Sequence, residues 1–197
     1  VATLNLVKEI KDDLHLDPWD YDINNPEFEN DRPTYELLAS GKTNGVFQVE
    51  SAGMKDLLIR LKPKLEQLDF EVISVILALY RPDSMGALDE YVEMATGGSR
   101  PPSIHPDMDE ILKDTNYCMI YQEQLLDIVK KFGGRTYGGA DLFRKAIGKK
   151  IVELVQKESE ILRGEIVANG YSKEIADKIA NELSQKGGYL FNKSHSY

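Results

Sequence analysis

Prolines and glycines interrupt this 197-residue chain at several places, and they mark where its segments of regular structure should end. Close groups of them stand at 97–102 and 133–139, and single prolines follow Asp17, Asn25 and Arg81. Proline removes a backbone donor and glycine favours turns, so both residues tend to end helices and strands. We therefore expect separate elements joined by turns, and no internal repeat is visible.

Between these breaks, apolar residues recur mostly at helical spacing, which predicts a mainly α-helical, irregular multi-helix fold. Helices are expected at 4–13, 33–39, 54–61, 66–79, 106–113 and 122–132, from about Ala140, and at 152–169 and 172–186. Gly41 should end the second in a left-handed cap, and Ser172 should begin the last. The β-branched residues of 66–79 would also suit a strand. At most a short β piece is expected, near 46–49.

The composition predicts a globular protein in an aqueous compartment. The hydrophobic content of 42% is enough for a buried core, and no apolar run is long enough to span a bilayer. Cys118 is the only cysteine, which excludes an internal disulfide and fits a reducing environment. We expect a cytoplasmic protein with no membrane partner. Because the chain lacks a starting methionine, we also expect a piece of a longer polypeptide.

The charge is unevenly distributed along a chain whose net charge is −9. From Glu9 to Glu36, ten carboxylates face only Lys11 and Arg32. From 135 to 150, five cations face one carboxylate among glycines, and a helix N-terminus is expected there. Arginine offers phosphate a planar fork and lysine a point charge, so this segment predicts an anion-binding surface. A merely solvated helix face is the alternative.

Most catalytic motifs are missing. The three histidines, His15, His105 and His195, lack zinc-ligand spacing, and the sequence contains no P-loop and no nucleophile elbow. Asp107 and Asp109 could hold Mg²⁺ in a metal-dependent nuclease. They also follow a predicted helix start, where carboxylates favour the helix dipole without any metal.

Two polar clusters remain open to two interpretations. Tyr121–Gln124 enters a predicted helix and could bind a ligand or form a solvated first turn. Phe191–His195 combines an aromatic ring, a cation and hydrogen-bonding side chains, which suits nucleotide contacts but also a frayed terminus.

Five segments resemble motifs of one family and follow the same order as in that family. They are Gly45–Ser51 with Gly53-Met54, Ala78–Pro82, Tyr121–Gln124, Ala140–Lys150 and Tyr189–Ser196. Together they resemble the bacterial C-family replicative DNA polymerases, the DNA polymerase III alpha subunits. The likeness covers nearly the whole chain and points to the fingers domain. It implies residues 1–32 as a palm-exit helix with an acidic irregular segment, and 33–197 as the fingers domain.

The resemblance implies a DNA-directed DNA polymerase that adds deoxynucleoside triphosphates to a primer during bacterial DNA replication. Three palm aspartates of that family hold Mg²⁺, and the last lies shortly before the segment that resembles Leu4–Ile10. The chain should therefore contain no metal ligand, Asp107 and Asp109 included, and should be inactive alone. The implied partners are primer-template DNA, deoxynucleoside triphosphates, the palm and thumb domains of the same polypeptide, and replicase holoenzyme subunits.

The same motifs suggest site residues. Nucleotide binding is expected at Arg144, Lys145, Tyr189 and His195, with Lys193 and Asn192 on the same surface. DNA or phosphate contacts are expected at Arg135, Lys149, Lys150 and Arg81. Lys145 departs from the commoner second arginine of the family, which keeps the charge but loses the bidentate geometry. The alternative function is a helical protein-interaction module whose acidic surface binds a basic partner.

Overall fold

The computed structural model describes residues 31–67, 69–100 and 102–196, and confirms a mainly α-helical fold. The helices are α1 (Arg32–Ala39), α2 (Ala52–Arg60), α3 (Lys62–Leu65), α4 (Phe70–Leu79), α5 (Met85–Ala95), α6 (Pro106–Leu112), α7 (Gln122–Gly133), α8 (Tyr137–Gly148), α9 (Val152–Ala168), α10 (Lys173–Lys186) and α11 (Lys193–Ser196). Short 3-10 turns lie at Pro82–Ser84 and Lys113–Thr115. The helix expected at 4–13 lies outside the described residues.

The contacts divide the chain into two compact units, Val1–Phe70 and Glu71–Tyr197. In the described part of the first, α1, α2 and α3 pack on one another and bury Tyr35, Leu58 and Leu65. Gly41 ends α1 with a φ of +66° while its N–H donates to the Leu38 carbonyl, as predicted. The domain boundary expected after residue 32 stays a prediction.

The prediction of a short β piece near 46–49 is wrong. This segment is a run of turns in which the Val46 N–H donates to the Thr43 carbonyl and the Val49 N–H donates to the Val46 carbonyl. Gln48 has a φ of +63°, which a strand does not allow. In the described ranges the structure has no strand, and one isolated parallel bridge joins Tyr121 to Phe191.

The second unit is built around α7 to α10. Helix α7 packs on α6, α8 and α9, and α9 packs on α10. Leu125, Phe132, Phe143, Leu162 and Ile179 are fully buried in this core. A Cβ at Gly133 would lie 2.8 Å from the Leu162 Cδ1, so this glycine allows α7 to approach α9 closely.

Most predicted helices of this unit are confirmed within about one turn. The segment at 66–79 is helical from Phe70, and the strand alternative is wrong. Ser172 begins α10 as predicted, since its hydroxyl accepts the Ile175 N–H at 3.2 Å. Helix α5 was not predicted. None of the helices in the described ranges is long and apolar enough to cross a membrane.

Helix α8 begins at Tyr137, earlier than the predicted start near Ala140. The Thr136 hydroxyl accepts the Gly139 N–H at 3.3 Å and caps the helix. Gly138 and Gly139 therefore belong to the first turn and do not form an open glycine loop.

Candidate functional site

The second half of α8 lines a cleft of about 700 Å³. Two cations of the helix and the lysine that caps its C-terminus face this space, and Gln122, Leu142, Glu158, Gly187, Gly188 and Leu190 also belong to the lining. We call it the basic cleft. Its volume lies within the range usual for small-ligand sites in proteins. The three cations are Arg144, Lys145 and Lys149.

Helix α8 is amphipathic, which explains the position of these cations. Ala140, Phe143 and Ile147 are buried in the core. Lys145 and Lys149, four residues apart, share the opposite face and are exposed. Packing of the apolar face therefore leaves the basic face at the surface.

The Arg144 guanidinium is held by two side chains, those of Asp141 and Gln122. Its Nε donates to the Asp141 Oδ1 at 2.8 Å, its Nη2 lies 2.7 Å from the same oxygen, and its Nη1 donates to the Gln122 Oε1 at 3.3 Å. Lys145 Nζ lies 2.7 Å from the Asp141 Oδ2. The hydrogen bonds from Lys145 and Arg144 lower the pKa of Asp141, which keeps this carboxylate ionised.

The remaining charges of the basic cleft leave it positive. Lys149 has no ion-pair partner among residues 31–67, 69–100 and 102–196. Glu158, the carboxylate of the lining, lies 3.2 Å from the Arg135 Nη1 and is therefore already neutralised. Among the residues that the structure describes, Asp141 is the one carboxylate paired with these three cations.

Arg135 does not line the basic cleft. Its side chain is only 12% exposed, and its Nε donates to the Glu165 Oε2 at 2.7 Å while its Nη1 pairs with Glu158. The guanidinium thus joins the start of α8 to α9.

Tyr189 and Lys150 line a neighbouring cleft of about 370 Å³. Lys150 Nζ lies 3.4 Å from the Asp83 Oδ2. Burial raises the pKa of Tyr189, so its phenol stays protonated at neutral pH. Arg81 donates from Nη2 to the Tyr189 carbonyl and from Nε to the Ala78 carbonyl, both at 2.8 Å.

The last predicted residues lie together at the start of α11. Glu123 accepts from the Asn192 Nδ2 and from the Lys193 N–H, both at 3.0 Å. Lys193 Nζ lies 3.2 Å from the Glu71 Oε2. His195 is exposed, and its ring centroid lies 5.7 Å from that of Phe191. None of these three predicted residues lines the basic cleft.

The structure thus brings Arg144, Lys145 and Lys149 together and places the other predicted residues around them. Sequence reasoning missed Asp141 as a part of the site, and it left open whether the cluster that contains Gln122 binds a ligand. The spacing of Asp141 from Arg144 (three residues) and from Lys145 (four) is a signal that could have found this carboxylate. The Gln122 contact spans 22 residues and has no local signal.

Asp107 and Asp109 each form an ion pair with a different cation. Asp107 lies 3.2 Å from Lys131 Nζ, and Asp109 lies 2.5 Å from Arg100 Nη2. His105 Nδ1 accepts the Asp107 N–H at 3.1 Å, which makes His105 the cap of α6. In the described part of the chain, no group of three or more histidine, cysteine or acidic residues is arranged to hold a metal ion.

Comparison with known proteins supports the family resemblance that the sequence motifs suggest. A sequence profile of the bacterial DNA polymerase III alpha subunit finger domain matches residues 3–170. The DNA polymerase III subunit alpha of Aquifex aeolicus is 40% identical over 200 residues, covering 100% of this chain and 16% of that protein. The same subunit of Halalkalibacterium halodurans is 40% identical over 167 residues, covering 85% of this chain and 15% of that protein.

The corresponding subunit of Borreliella burgdorferi is 37% identical over 197 residues, which cover 100% of this chain and 17% of that protein. The chain therefore spans only a small part of the length of the relatives it matches. Since the profile covers most of its residues and these relatives match along the whole or most of its length, the chain belongs to the bacterial DNA polymerase III alpha subunit family, and to its finger domain.

Proposed function

We propose that this chain is the fingers region of a DNA-directed DNA polymerase and that its basic cleft binds the triphosphate of the incoming deoxynucleotide. The observation that carries the proposal is the convergence of Arg144, Lys145 and Lys149 on one cleft of about 700 Å³. Family membership supplies the class of reaction, because the relatives are DNA polymerase III alpha subunits.

The charges of the cleft suit a polyanion. Two of the five N–H groups of Arg144 hydrogen-bond to Asp141 and Gln122, which leaves N–H groups on both terminal nitrogens for phosphate oxygens. Lys145 is 59% exposed and can turn from Asp141 toward a bound phosphate. Lys149 adds a third cation at the end of the helix. Glycines at 187 and 188 have no side chain to block the opposite wall.

We assign the surrounding residues by their position. Tyr189, Asn192, Lys193 and His195 do not line the basic cleft but flank Leu190, which does, and we assign them to contacts with the nucleoside. Lys149 and Lys150 are exposed and contact the primer-template backbone. Arg81 and Arg135 are left out of these contacts, because they hydrogen-bond to backbone carbonyls and to carboxylates of α9, respectively.

The residues of the basic cleft do not fit Mg²⁺. Asp141 is bound by two cations and Glu158 by Arg135, so neither carboxylate is available as a ligand. In the proposal, the metal ions of the reaction are held by the palm domain, outside this chain. The contribution of the chain is to bind and orient the triphosphate.

The test is Arg144→Ala in the full-length polymerase that contains this segment. Removing a charged donor from a pre-organised site costs on the order of 10²-fold in kcat/KM for nucleotide incorporation. Steady-state primer extension at varied nucleotide concentration measures this loss.

Arg163→Ala is the matched control. Its side chain is also 27% exposed and also ion-paired, but it contacts Asp177 and Asn181 away from the basic cleft. Near-normal incorporation by Arg144→Ala, or an equal loss in both variants, would remove Arg144 from the site. Primer extension by the 197-residue chain alone, with Mg²⁺ and nucleotides, would show that the metal ligands are not confined to the palm.

A further inference from the structure

We propose that Gln122 is a positioning residue that fixes Arg144 against the chain segment at Leu190, so that one amide orients two walls of the basic cleft. The inference rests on the proposed function, because it assigns Gln122 a role in nucleotide binding through Arg144. Gln122 is the first residue of α7, whereas Arg144 belongs to α8.

The side-chain amide of Gln122 uses both of its ends. Its Oε1 accepts from the Arg144 Nη1, and its Nε2 donates to the Leu190 carbonyl, each at 3.3 Å. The opposite orientation of the amide would set a donor against the guanidinium and an acceptor against the carbonyl. The two partners therefore select a single orientation.

The backbone fixes the place of this amide. The Gln122 N–H donates to the Phe191 carbonyl at 2.8 Å, and the Phe191 N–H donates to the Ile120 carbonyl at 2.9 Å. These bonds surround the bridge between Tyr121 and Phe191. The start of α7 and the C-terminal segment are thus joined through the main chain, and the Gln122 side chain extends this connection to Arg144.

The neighbouring polar residues of the motif have different contacts. Gln124 is 8% exposed, and its Oε1 accepts the N–H groups of Ile120 and Tyr121 at 2.8 and 2.9 Å. Glu123 accepts from Asn192 and Lys193. Gln124 therefore stabilises the turn before α7 and Glu123 holds the start of α11, while Gln122 alone of the three lines the basic cleft.

Two anchors determine the orientation of the Arg144 guanidinium. Asp141 lies on the same helix and binds one edge, and Gln122 binds the remaining terminal nitrogen from another helix. Lys145 shares only the Asp141 anchor. A guanidinium held from two helices presents its remaining N–H groups in a fixed direction, which reduces the reorganisation needed when phosphate binds.

Gln122→Met in the full-length polymerase tests the proposal, because methionine keeps the length and the helix preference but removes both hydrogen bonds. We expect the KM for nucleotide to rise about 10-fold, the scale of a lost hydrogen bond to a charged group. The thermal unfolding midpoint should stay unchanged. Gln124→Met is the structural control, since losing its buried bonds should lower that midpoint.

A double-mutant cycle separates positioning from folding. If Gln122 acts through Arg144, Gln122→Met should cause little further loss in kcat/KM when Arg144 is already alanine. Additive losses, or an unchanged KM in the single variant, would overturn the role of Gln122 while a defective Arg144→Ala still supports the proposed function. A normal Arg144→Ala enzyme would overturn both.

Discussion

Three arginines of the second unit differ in what their guanidinium groups contact. Arg81 donates to two backbone carbonyls, and Arg135 binds two carboxylates of α9. Arg144 is held by Asp141 and Gln122 and still lines an open cleft. Of these three arginines, Arg144 is the one that lines the basic cleft, so the proposal assigns phosphate binding to it.

Glycine has a defined structural role at Gly134. Its φ is +67°, and a Cβ there would lie 2.8 Å from the Asn169 Nδ2, whose amide donates to the Phe132 carbonyl at 2.9 Å. Gly134→Ala should therefore lower the free energy of unfolding by about 1–3 kcal/mol, since alanine is strained in the left-handed region. Urea unfolding of the chain, followed by circular dichroism, measures the change.

Gly164→Ala is the matched control for this prediction. Gly164 lies inside α9, and a Cβ there meets no atom within 4 Å. Alanine should stabilise that helix by about 0.5–1 kcal/mol, an effect of opposite sign. Equal effects of the two substitutions would mean that backbone conformation at Gly134 is not the cause.

At the scale of the element, α8 depends on its first turn. The Thr136 hydroxyl is the side-chain cap of α8, and the helix with its C-terminal cap Lys149 carries the cations that line the basic cleft. Thr136→Ala should lower the free energy of unfolding by about 1 kcal/mol. Thr136→Ser keeps the hydroxyl and should retain most of the stability.

Amide hydrogen exchange locates this effect. The Gly139 N–H, which donates to the Thr136 hydroxyl, should exchange faster in Thr136→Ala than in Thr136→Ser. If serine destabilises the chain as much as alanine does, the threonine methyl rather than the hydroxyl is responsible.

Local patterns predicted the helices better than the site. Apolar spacing and capping residues sufficed for α7, α9 and α10, because those helices bury one face in a shared core. The same β-branched and apolar character misled at Val46–Val49, where turn bonds and a positive φ at Gln48 exclude a strand. The early start of α8 was missed because its glycines suggested a loop.

Long-range contacts account for what the sequence could not predict in the site. The basic segment correctly marked Arg144, Lys145 and Lys149 as neighbours. It gave no sign that Arg135 would pair with Glu158 and Glu165, which lie 23 and 30 residues away. Charge density in a sequence therefore identifies a surface, but the partners that neutralise each cation depend on the packing of helices.

At the scale of the whole molecule, a net charge of −9 opposes general attraction to DNA. Any DNA affinity contributed by this segment must therefore come from local cations, whereas a protein-interaction module would use its acidic surface. Lys149 and Lys150 are exposed at the end of α8, beside the basic cleft. Whether these two lysines contribute to DNA binding therefore distinguishes a DNA-binding surface from a protein-interaction module.

Replacing Lys149 and Lys150 together with glutamine in the full-length polymerase should weaken primer-template binding. Each phosphate contact contributes about −0.9 to the slope of log K against log salt, so the slope should become less steep by about two. Fluorescence anisotropy at several salt concentrations measures it. Lys157→Gln with Lys173→Gln removes the same charge from exposed positions outside the basic cleft and should change the slope little. If both double substitutions change the slope equally, DNA binding depends on overall charge rather than on Lys149 and Lys150. If neither changes it, the protein-interaction module is the better account of this surface.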